Sequence, residues 1–546
     1  MVAILGMASN RGRNLLNIHR ERPGGAQLGV VLTNDASAPV LDGAAEYGVP
    51  TEVVEREAGE DRFSHEERIL DAVADYDIDV VCLDGYMRIL SSVFLDAMPI
   101  TLNVHPSLLP AFPGADAWDE ALHAGVAVSG CTVHVVTNAV ADDGSIIESK
   151  IDGGPIVTQE PVPVYDDDTT ATLKDRILYD GEFLAYPRAV RWVAEDAITV
   201  TENEEGPVSV TVPDDQHETF PTRRLDSHDR RSVLRYGENP HQEAALYASA
   251  DVTEPSVVGA EQVSGDKGMS YVNYVDAAGA LDLITEFERP AAAVIKHANP
   301  AGCATDEELV GSYDRALSTD PMSAFGGVVA LNRPCDPATA ERIVDSVKHV
   351  VVAPGFTGDA LSILGDRESM RVLDVSDGSP GPIGPDDRIQ PLAEKQLVGG
   401  RLVQERDLAR IDPADLEVVT DREPSDDERH TMAFAWPVVK HATSNAIVMA
   451  TGTETVGLGI GQVSRVDAVR IAGIKAEEHA EGKGPGGAVM ASDAFFPFPD
   501  GIERAAAAGV EAVIQPGGSI RDDEVIDVAN DHDLAMVFTG QRCFLH

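Results

Sequence analysis

Across roughly its first 190 residues the chain alternates short β-branched runs with amphipathic stretches, and this rhythm restricts the fold more than any other feature. Residues 2–5 (Val-Ala-Ile-Leu), 29–32, 80–83 and 100–104 read as strands, and residues 66–76 carry a helical pattern between two of them. Strand and helix in alternation predict an α/β unit with a parallel, doubly wound sheet and ligands at the carboxyl ends of its strands. From about residue 195 the character changes. Glu202-Asn203-Glu204-Glu205-Gly206-Pro207 and Pro213-Asp214-Asp215 are acidic, proline-punctuated and poor in large apolar residues. The expected organisation is therefore a first domain over 1–193, an acidic linker over 194–229 with one short strand at 208–212, and a second region over 230–546. A length of 546 residues is too great for one core in any case. Within the second region, residues 374–387 are rich in Gly, Pro and Asp and read as an exposed loop. Val294-Ile295-Lys296-His297-Ala298 is echoed by Val438-Val439-Lys440-His441-Ala442, which predicts two related subdomains, each with an apolar strand ending in Lys-His.

Charge excludes some functions. With 42 Lys and Arg against 92 Asp and Glu the formal charge is −50, opposite in sign to what a nucleic-acid binder needs. The acid is spread along the whole chain and Lys is far rarer than Arg, as on the surface of a protein from a salt-loving organism, where salt screens self-repulsion. The unfolding midpoint is accordingly expected to rise between dilute and molar potassium chloride; superimposable unfolding curves would remove this reading. No apolar run approaches the length of a membrane span, and no basic n-region accompanies residues 2–5. The five cysteines are scattered, without a Cys-x-x-Cys pair, which argues against a disulfide framework or a structural zinc site. A cytoplasmic protein without a metal is expected.

The first candidate site is Asn103-Val104-His105-Pro106-Ser107-Leu108-Leu109-Pro110, following an apolar strand. Alternation puts Asn103 and His105 on one side at the carboxyl end, where an amide and an imidazole can stabilise an oxyanion and move a proton. Pro106, Pro110 and Pro113 pin the loop that follows. Asp152-Gly153-Gly154-Pro155 is a turn presenting a carboxylate, which beside His105 would favour the protonated ring; Asp143, in the similar Asp142-Asp143-Gly144, is its rival. The segment Ser9-Asn10-Arg11-Gly12-Arg13-Asn14 joins the first strand to a helix, a plausible phosphate cradle of backbone amides and two Arg.

Together with Gly85-Tyr86-Met87-Arg88-Ile89-Leu90-Ser91, these residues resemble glycinamide ribonucleotide formyltransferase over the first 190 residues, the run 103–114 being the specific part. The resemblance implies a Rossmann-like formyltransferase domain in which Asn103, His105 and Asp152 are catalytic. It further implies that Met87, Arg88 and Leu90 meet the folate, and that Asn10, Arg11, Gly12, Arg13 and Asn14 bind the substrate phosphate. The Arg-bearing phosphate loop departs from a family pattern richer in Gly and Ser, and the interval from His134 to Asp152 is longer than usual. Formyltetrahydrofolate deformylase shares the Asn, His and Asp but passes the formyl group to water; His105-Pro106-Ser107 and the early phosphate loop fit the transferase better.

In the second region a cation beside an imidazole at Lys296-His297 favours the neutral, proton-accepting ring. The runs 235–242, 296–302, 323–327, 459–465, 492–498 and 538–542, with Ser444-Asn445, resemble the transformylase part of the enzyme acting on aminoimidazole carboxamide ribonucleotide (AICAR). That resemblance implies two cytidine-deaminase-like α/β subdomains and a site built across a homodimer. In it His297 accepts the proton, Lys296 assists as electrophile or relay, and Asn445 holds the formyl oxygen. Arg235, Tyr236, Arg465 and Arg542 would bind nucleotide, with Phe495 and Asp500 near the folate. His349 stands where relatives tend to carry an acid, and the C-terminus Cys543-Phe544-Leu545-His546 is altered. Relatives usually precede this domain with an inosine monophosphate cyclohydrolase, whose place is taken here by the glycinamide-type transferase.

The implied co-substrate at both sites is 10-formyltetrahydrofolate, with small-molecule acceptors and no nucleic-acid or membrane partner. His479-Ala480-Glu481 echoes the His-x-Glu of zinc deaminases, but the Cys-x-x-Cys that completes those ligands is missing. Residues 457–461 have the wrong spacing for a dinucleotide loop. A non-enzymatic folate or nucleotide sensor is the alternative from another class; mere binding would not require the Asn-His and Lys-His pairs.

Overall fold

The computed structural model describes residues 2–203, 206–213, 218–249, 252 and 254–546, and the chain divides into two compact units, Met1–Arg224 and Leu225–His546. In the first unit, strands β1 (Ala3–Met7), β2 (Gln27–Thr33), β3 (Thr51–Val53), β4 (Val80–Leu83), β5 (Thr101–His105), β6 (Val128–Val135) and β7 (Ile156–Pro163) form one sheet in the order β3-β2-β1-β4-β5-β6-β7. It is parallel through β5 and antiparallel at β6 and β7. Alternation along each strand feeds two cores: Ile4, Val31, Cys82 and Leu102 join one, Leu5, Leu32 and Val81 the other. The helix expected over 66–76 spans Arg62–Val73, started by Asp61, whose side chain accepts from Ser64 N.

The stretch expected as linker is partly built into this unit. Where one strand was expected there are two, β8 (Thr199–Asn203) and β9 (Gly206–Thr211), paired as an antiparallel hairpin. Period-two valines explain it: Val200, Val210 and Val212 pack on the core of the first sheet. Glu204, Glu205, Asp214 and Asp215 of the acidic runs lie outside the described residues.

The second unit opens with the hairpin β10 (His228–Leu234) and β11 (Ala244–Ser249). Its main sheet is built from β12 (Glu261–Ser264), β13 (Ala291–Lys296), β14 (Asn299–Thr305), β15 (Val328–Leu331), β16 (Val350–Ala353) and β17 (Arg371–Asp374). After a separate hairpin, β18 (Leu392–Leu397) with β19 (Gly400–Glu405), it continues with β20 (Glu417–Val418), β21 (Ile447–Thr451), β22 (Glu454–Gly459), β23 (Ala488–Ser492), β24 (Val510–Gln515) and β25 (Ala535–Phe538). The order is β12-β17-β16-β15-β13-β14-β22-β21-β23-β24-β25-β20. Read outward from the β14–β22 junction, the halves repeat: an antiparallel hairpin, three strands parallel to one another, and an antiparallel edge. Helices Tyr271–Ile284 and Asp426–Lys440 share one core on one face, and the opposite face carries a separate core for each half.

The repeat does not run through the words that suggested it. Residues 294–298 are the end of β13 and the turn after it. Residues 438–442, expected as a strand, are the last turn of helix Asp426–Lys440 and its C-cap. A short apolar run cannot separate strand from helix. What decides it is Ser425, which forms a capping box with Glu428 twelve residues before Pro437 and starts the helix. The topological counterpart of β13 is β21, and Lys440 and His441 are structural, as described below.

Candidate active sites

Strand β5, inside the first sheet between β4 and β6, places Asn103 and His105 at its carboxyl end, paired in register with His134 and Thr132 of β6. Asp152 stands in a left-handed conformation (φ 53°) with Oδ2 3.2 Å from His105 Nδ1, and Gly114 N donates to the same oxygen at 2.9 Å. His105 Nε2 lies 2.8 Å from the carbonyl of Phe112. Both ring nitrogens therefore face oxygen atoms, and the ring is held to present or receive a proton at Nδ1. The rival Asp143 is exposed and occupied by Ser145 N and Oγ within its own turn. Asp152 is the carboxylate brought to His105.

His134 is a member of this cluster that sequence reasoning passed over. Its Nε2 is 3.1 Å from Asn103 Nδ2 and 3.8 Å from Asp152 Oδ1, while Nδ1 meets the carbonyl of Val135 at 3.1 Å. These partners fit a neutral ring with the proton on Nδ1, and burial lowers the pKa of His134 against the opposing pull of Asp152. The available signal was the alternation of β6, which turns His134 towards Asn103. Behind it Gly154 passes so close to β6 that a Cβ there would sit 1.8 Å from the carbonyl oxygen of Val135. Gly154→Ala is expected to destabilise the first unit by about 1–3 kcal/mol, read as a lower midpoint by calorimetry; an unchanged midpoint would show that the turn yields freely.

Of the predicted phosphate loop, Asn10, Arg11 and Arg13 line a cleft of about 410 Å³ with Asp84, Gly85, Lys174 and Glu182. Gly12 holds φ 56° before the helix Arg13–Glu21, and a Cβ there would meet Val40 Cγ2 at 2.4 Å, so this position requires glycine. Asn14 departs from the expectation. It is buried, its backbone N donates to Asp84 Oδ2 at 2.8 Å, and its Nδ2 bridges Asp84 Oδ1 (3.1 Å) and Glu182 Oε2 (2.6 Å). That amide is thus taken by Asp84 rather than offered to an anion. Burial and the neighbouring Asp84 raise Glu182 to about 7. Met87 is 69% exposed on the loop after β4 and Arg88 is half-buried, but Leu90 is packed in the core with Ile69 and Phe94.

In the second unit β13 ends at Lys296, whose Nζ donates to the carbonyl of Phe325 at 2.9 Å. His297 and Ala298 both take left-handed φ in the tight turn to β14, leaving His297 exposed, while Ala298 N donates to Asp276 Oδ1 at 2.6 Å. Arg235 and Tyr236 line a cleft of about 670 Å³ with Lys267, Asn273, His349 and Arg371. Burial, then Arg371 and Lys296, lower the pKa of His349. The wall is cationic, as an anionic ligand needs.

Asn445 and Arg465 form a separate cluster. Arg465, buried at the start of helix Arg465–Glu478, donates to Asn445 Oδ1 at 2.6 Å and Ser492 Oγ at 2.8 Å and pairs with Asp493. Asn445 Nδ2 donates to the carbonyls of Gln462 (2.8 Å) and Val463 (3.2 Å). In this arrangement Arg465 holds Asn445, Ser492 and Asp493, and the Asn445 side-chain amide donates to the 462–463 backbone. Arg542 is exposed over the Phe544 ring (5.1 Å), next to Cys543, whose N donates to the carbonyl of Asp493 at 3.0 Å. Phe495 is exposed beyond Asp493. Asp500 opens the helix Asp500–Ala507 on the surface, with no hydrogen bond among the described residues to Asn445 or Arg465. Asn299 Oδ1 accepts from Thr443 N at 3.0 Å and so joins the His297 turn to the segment leading into Asn445. Among the described residues no group of three or more His, Cys, Asp or Glu is placed to hold a metal ion, and no helix is long and apolar enough to cross a membrane.

Residues 1–190 match a family model described as formyl transferase, and residues 175–475 match one described as the AICARFT/IMPCHase bienzyme. A bifunctional purine biosynthesis protein PurH from Magnetococcus marinus is 49% identical over 320 residues, covering 57% of this chain. The chain spans 59% of the length of that curated relative. Among solved structures, glycinamide ribonucleotide transformylase 1 from Symbiobacterium toebii is 36% identical, covering 39% of this chain and 95% of its own, with a TM-score of 0.35. The phosphoribosylglycinamide formyltransferase from Anaplasma phagocytophilum is 34% identical, covering 39% of this chain and 94% of its own, with a TM-score of 0.33. Through residues 175–475, more than half of its length, the chain belongs to the AICARFT/IMPCHase bienzyme family, and it carries a formyl transferase domain matched over residues 1–190.

Proposed function

We propose that the chain transfers formyl groups from 10-formyltetrahydrofolate to two amines, glycinamide ribonucleotide in the first unit and AICAR in the second. The observation that carries the reading is the His105 Nδ1–Asp152 Oδ2 contact of 3.2 Å at the carboxyl end of β5, with Asn103 two residues away on the same strand. In each reaction the amine lone pair attacks the formyl carbon and the carbonyl electrons move to oxygen. The amine then loses a proton, and N10 of the folate gains one as it leaves. The first step needs an oxyanion donor, the rest a proton acceptor and relay. Asn103 Nδ2 has one hydrogen beyond that given to His134, and the His105–Asp152 pair takes and returns the proton. Arg11, Arg13 and Lys174 suit the substrate phosphate, and Met87 and Arg88 the folate.

In the second unit His297 is assigned the proton and Lys296 the developing charge, with Arg235, Tyr236 and Arg371 on the nucleotide. Large apolar side chains exposed around this site, among them Met322 (79%), Phe325 (59%) and Val463 (102%), support a homodimer that completes it. Ring closure to inosine monophosphate is assigned to a separate enzyme; its accumulation by the purified chain above the spontaneous rate would overturn that part. The test supplies 10-formyltetrahydrofolate with each amine separately and follows the folate product and the formylated nucleotide. Turnover with both amines is expected. Formate release without an amine would make the first unit a deformylase, and binding without turnover would make the protein a sensor.

A further inference from the structure

Helix Arg465–Glu478 touches both parts of the second site. Its first residue holds Asn445, as described. Near its other end, Lys475 Nζ donates to Asp320 Oδ2 at 2.7 Å, and His479 Nδ1 lies 3.4 Å from Asp320 Oδ1. Asp320 belongs to the other half of the sheet, in the segment between β14 and β15, and only 2% of the residue is exposed. Its carboxylate builds the turn that follows: Ser323 N donates to Oδ1 at 2.9 Å and Ser323 Oγ to Oδ2 at 2.7 Å, while Ala324 N donates to the Asp320 carbonyl at 3.0 Å. The next residue is Phe325, whose carbonyl takes the Lys296 ammonium. Glu481 N donates to the Ser318 carbonyl at 2.9 Å and Lys483 Nζ to the Arg315 carbonyl at 2.7 Å, clamping the same segment from the same side.

We propose that Asp320 is a positioning residue for Lys296: it fixes the turn whose Phe325 carbonyl holds the ammonium, and Lys475 and His479 lock it from the other half of the sheet. The inference rests on the proposed role of Lys296 in formyl transfer. It also gives His479-Ala480-Glu481 a use. The histidine faces a buried carboxylate, and the run is part of the clamp. A charged acceptor is needed because one carboxylate takes four donors, two from Ser323 and one each from Lys475 and His479. An amide at that position offers a single acceptor oxygen and turns its own hydrogens on Lys475.

Two variants of the full chain test this, Ser323→Ala and Asp320→Asn, with two readouts. The first is the rate at which acetic anhydride labels Lys296, followed by mass spectrometry, with the buried Lys348 and Lys440 as internal references. Labelling of Lys296 relative to those two is expected to rise about fivefold in Ser323→Ala, the weight of one hydrogen bond, and more than about tenfold in Asp320→Asn, where a charged acceptor is lost. The second is turnover of AICAR, expected to lose kcat by comparable factors with KM for both substrates within about twofold, and to recover in Ser323→Thr. Unchanged Lys296 labelling in both variants overturns the inference, as does equal labelling of all three lysines, which would mark general loosening. Absence of wild-type turnover would defeat the functional reading alone, because the labelling result stands without it.

Discussion

Replacing His105 by alanine is expected to lower formyl transfer to glycinamide ribonucleotide by roughly 10²–10⁴-fold, the span associated with losing a positioned proton donor or acceptor, with AICAR turnover by the same chain unchanged. His297→Ala is expected to do the reverse. The reciprocity follows from the architecture, since His105 ends β5 of one sheet and His297 stands in the turn after β13 of another, in a different compact unit. Each variant therefore carries its own control for amount and folding. Asp152→Asn should approach the loss seen in His105→Ala, because the carboxylate acts through Nδ1 of that ring. The double variant should be little worse than the more damaged single one, since groups acting as one unit are not additive. Steady-state rates with each amine in turn decide the matter. A His105→Ala protein that keeps wild-type transfer to the glycinamide substrate would falsify the assignment of proton handling to this pair.

Much of this was legible in the sequence because the relevant signals are local. Residues 80–83 read as a strand and are one, and the carboxyl end of the 100–104 run is where Asn103 and His105 stand. Alternation also delivered the two faces of that strand. The parts that escaped depend on contacts between distant segments. His134 faces Asn103 only because β6 turns back antiparallel beside β5, and no spacing rule announces that register. Asn14 sits in a segment that looks like an anion loop, yet Asp84, seventy residues on, takes its backbone N–H. The contacts by which Arg465 holds Asn445 and Asp493, and Asn445 the 462–463 backbone, likewise join segments that are far apart in the chain. The Lys-His echo misled for a related reason: two apolar residues followed by a cation fit a buried strand and a buried helix end equally well, and only the cap at Ser425 separates them.

That second Lys-His pair leads to the other large effect. Lys440 Nζ lies 2.8 Å and His441 Nε2 2.9 Å from Glu286 Oε1, and Arg388 reaches the same carboxylate. Asp282, one turn earlier on helix Tyr271–Ile284, meets Arg388 at 3.2 Å and Arg406, with His441 Nδ1 at 3.5 Å. Glu286, Lys440 and Arg388 have side chains no more than 6% exposed, so salt screens them little. Burial alone would raise both carboxyls; the surrounding cations outweigh it, chiefly His441 in each case, and hold Asp282 and Glu286 at about 2. A carboxyl depressed on folding contributes stability that is fully present above its unfolded value, near 4, and is lost as pH falls through about 2. The second unit is therefore expected to lose stability steeply between about pH 4.5 and 2. Glu286→Gln leaves Lys440 and Arg388 buried without their shared anion and should cost about 3–5 kcal/mol near neutrality, with a shallower acid limb because one of this network's two depressed carboxyls is gone. The salt dependence of unfolding, which comes from the exposed acidic surface, should survive in the variant. Chemical denaturation of wild type and variant across pH 2–7, at low and molar potassium chloride, separates these effects. A Glu286→Gln protein as stable as wild type at pH 7, or with an equally steep acid limb, would show that the network is tolerated by the fold and does not hold its two halves together.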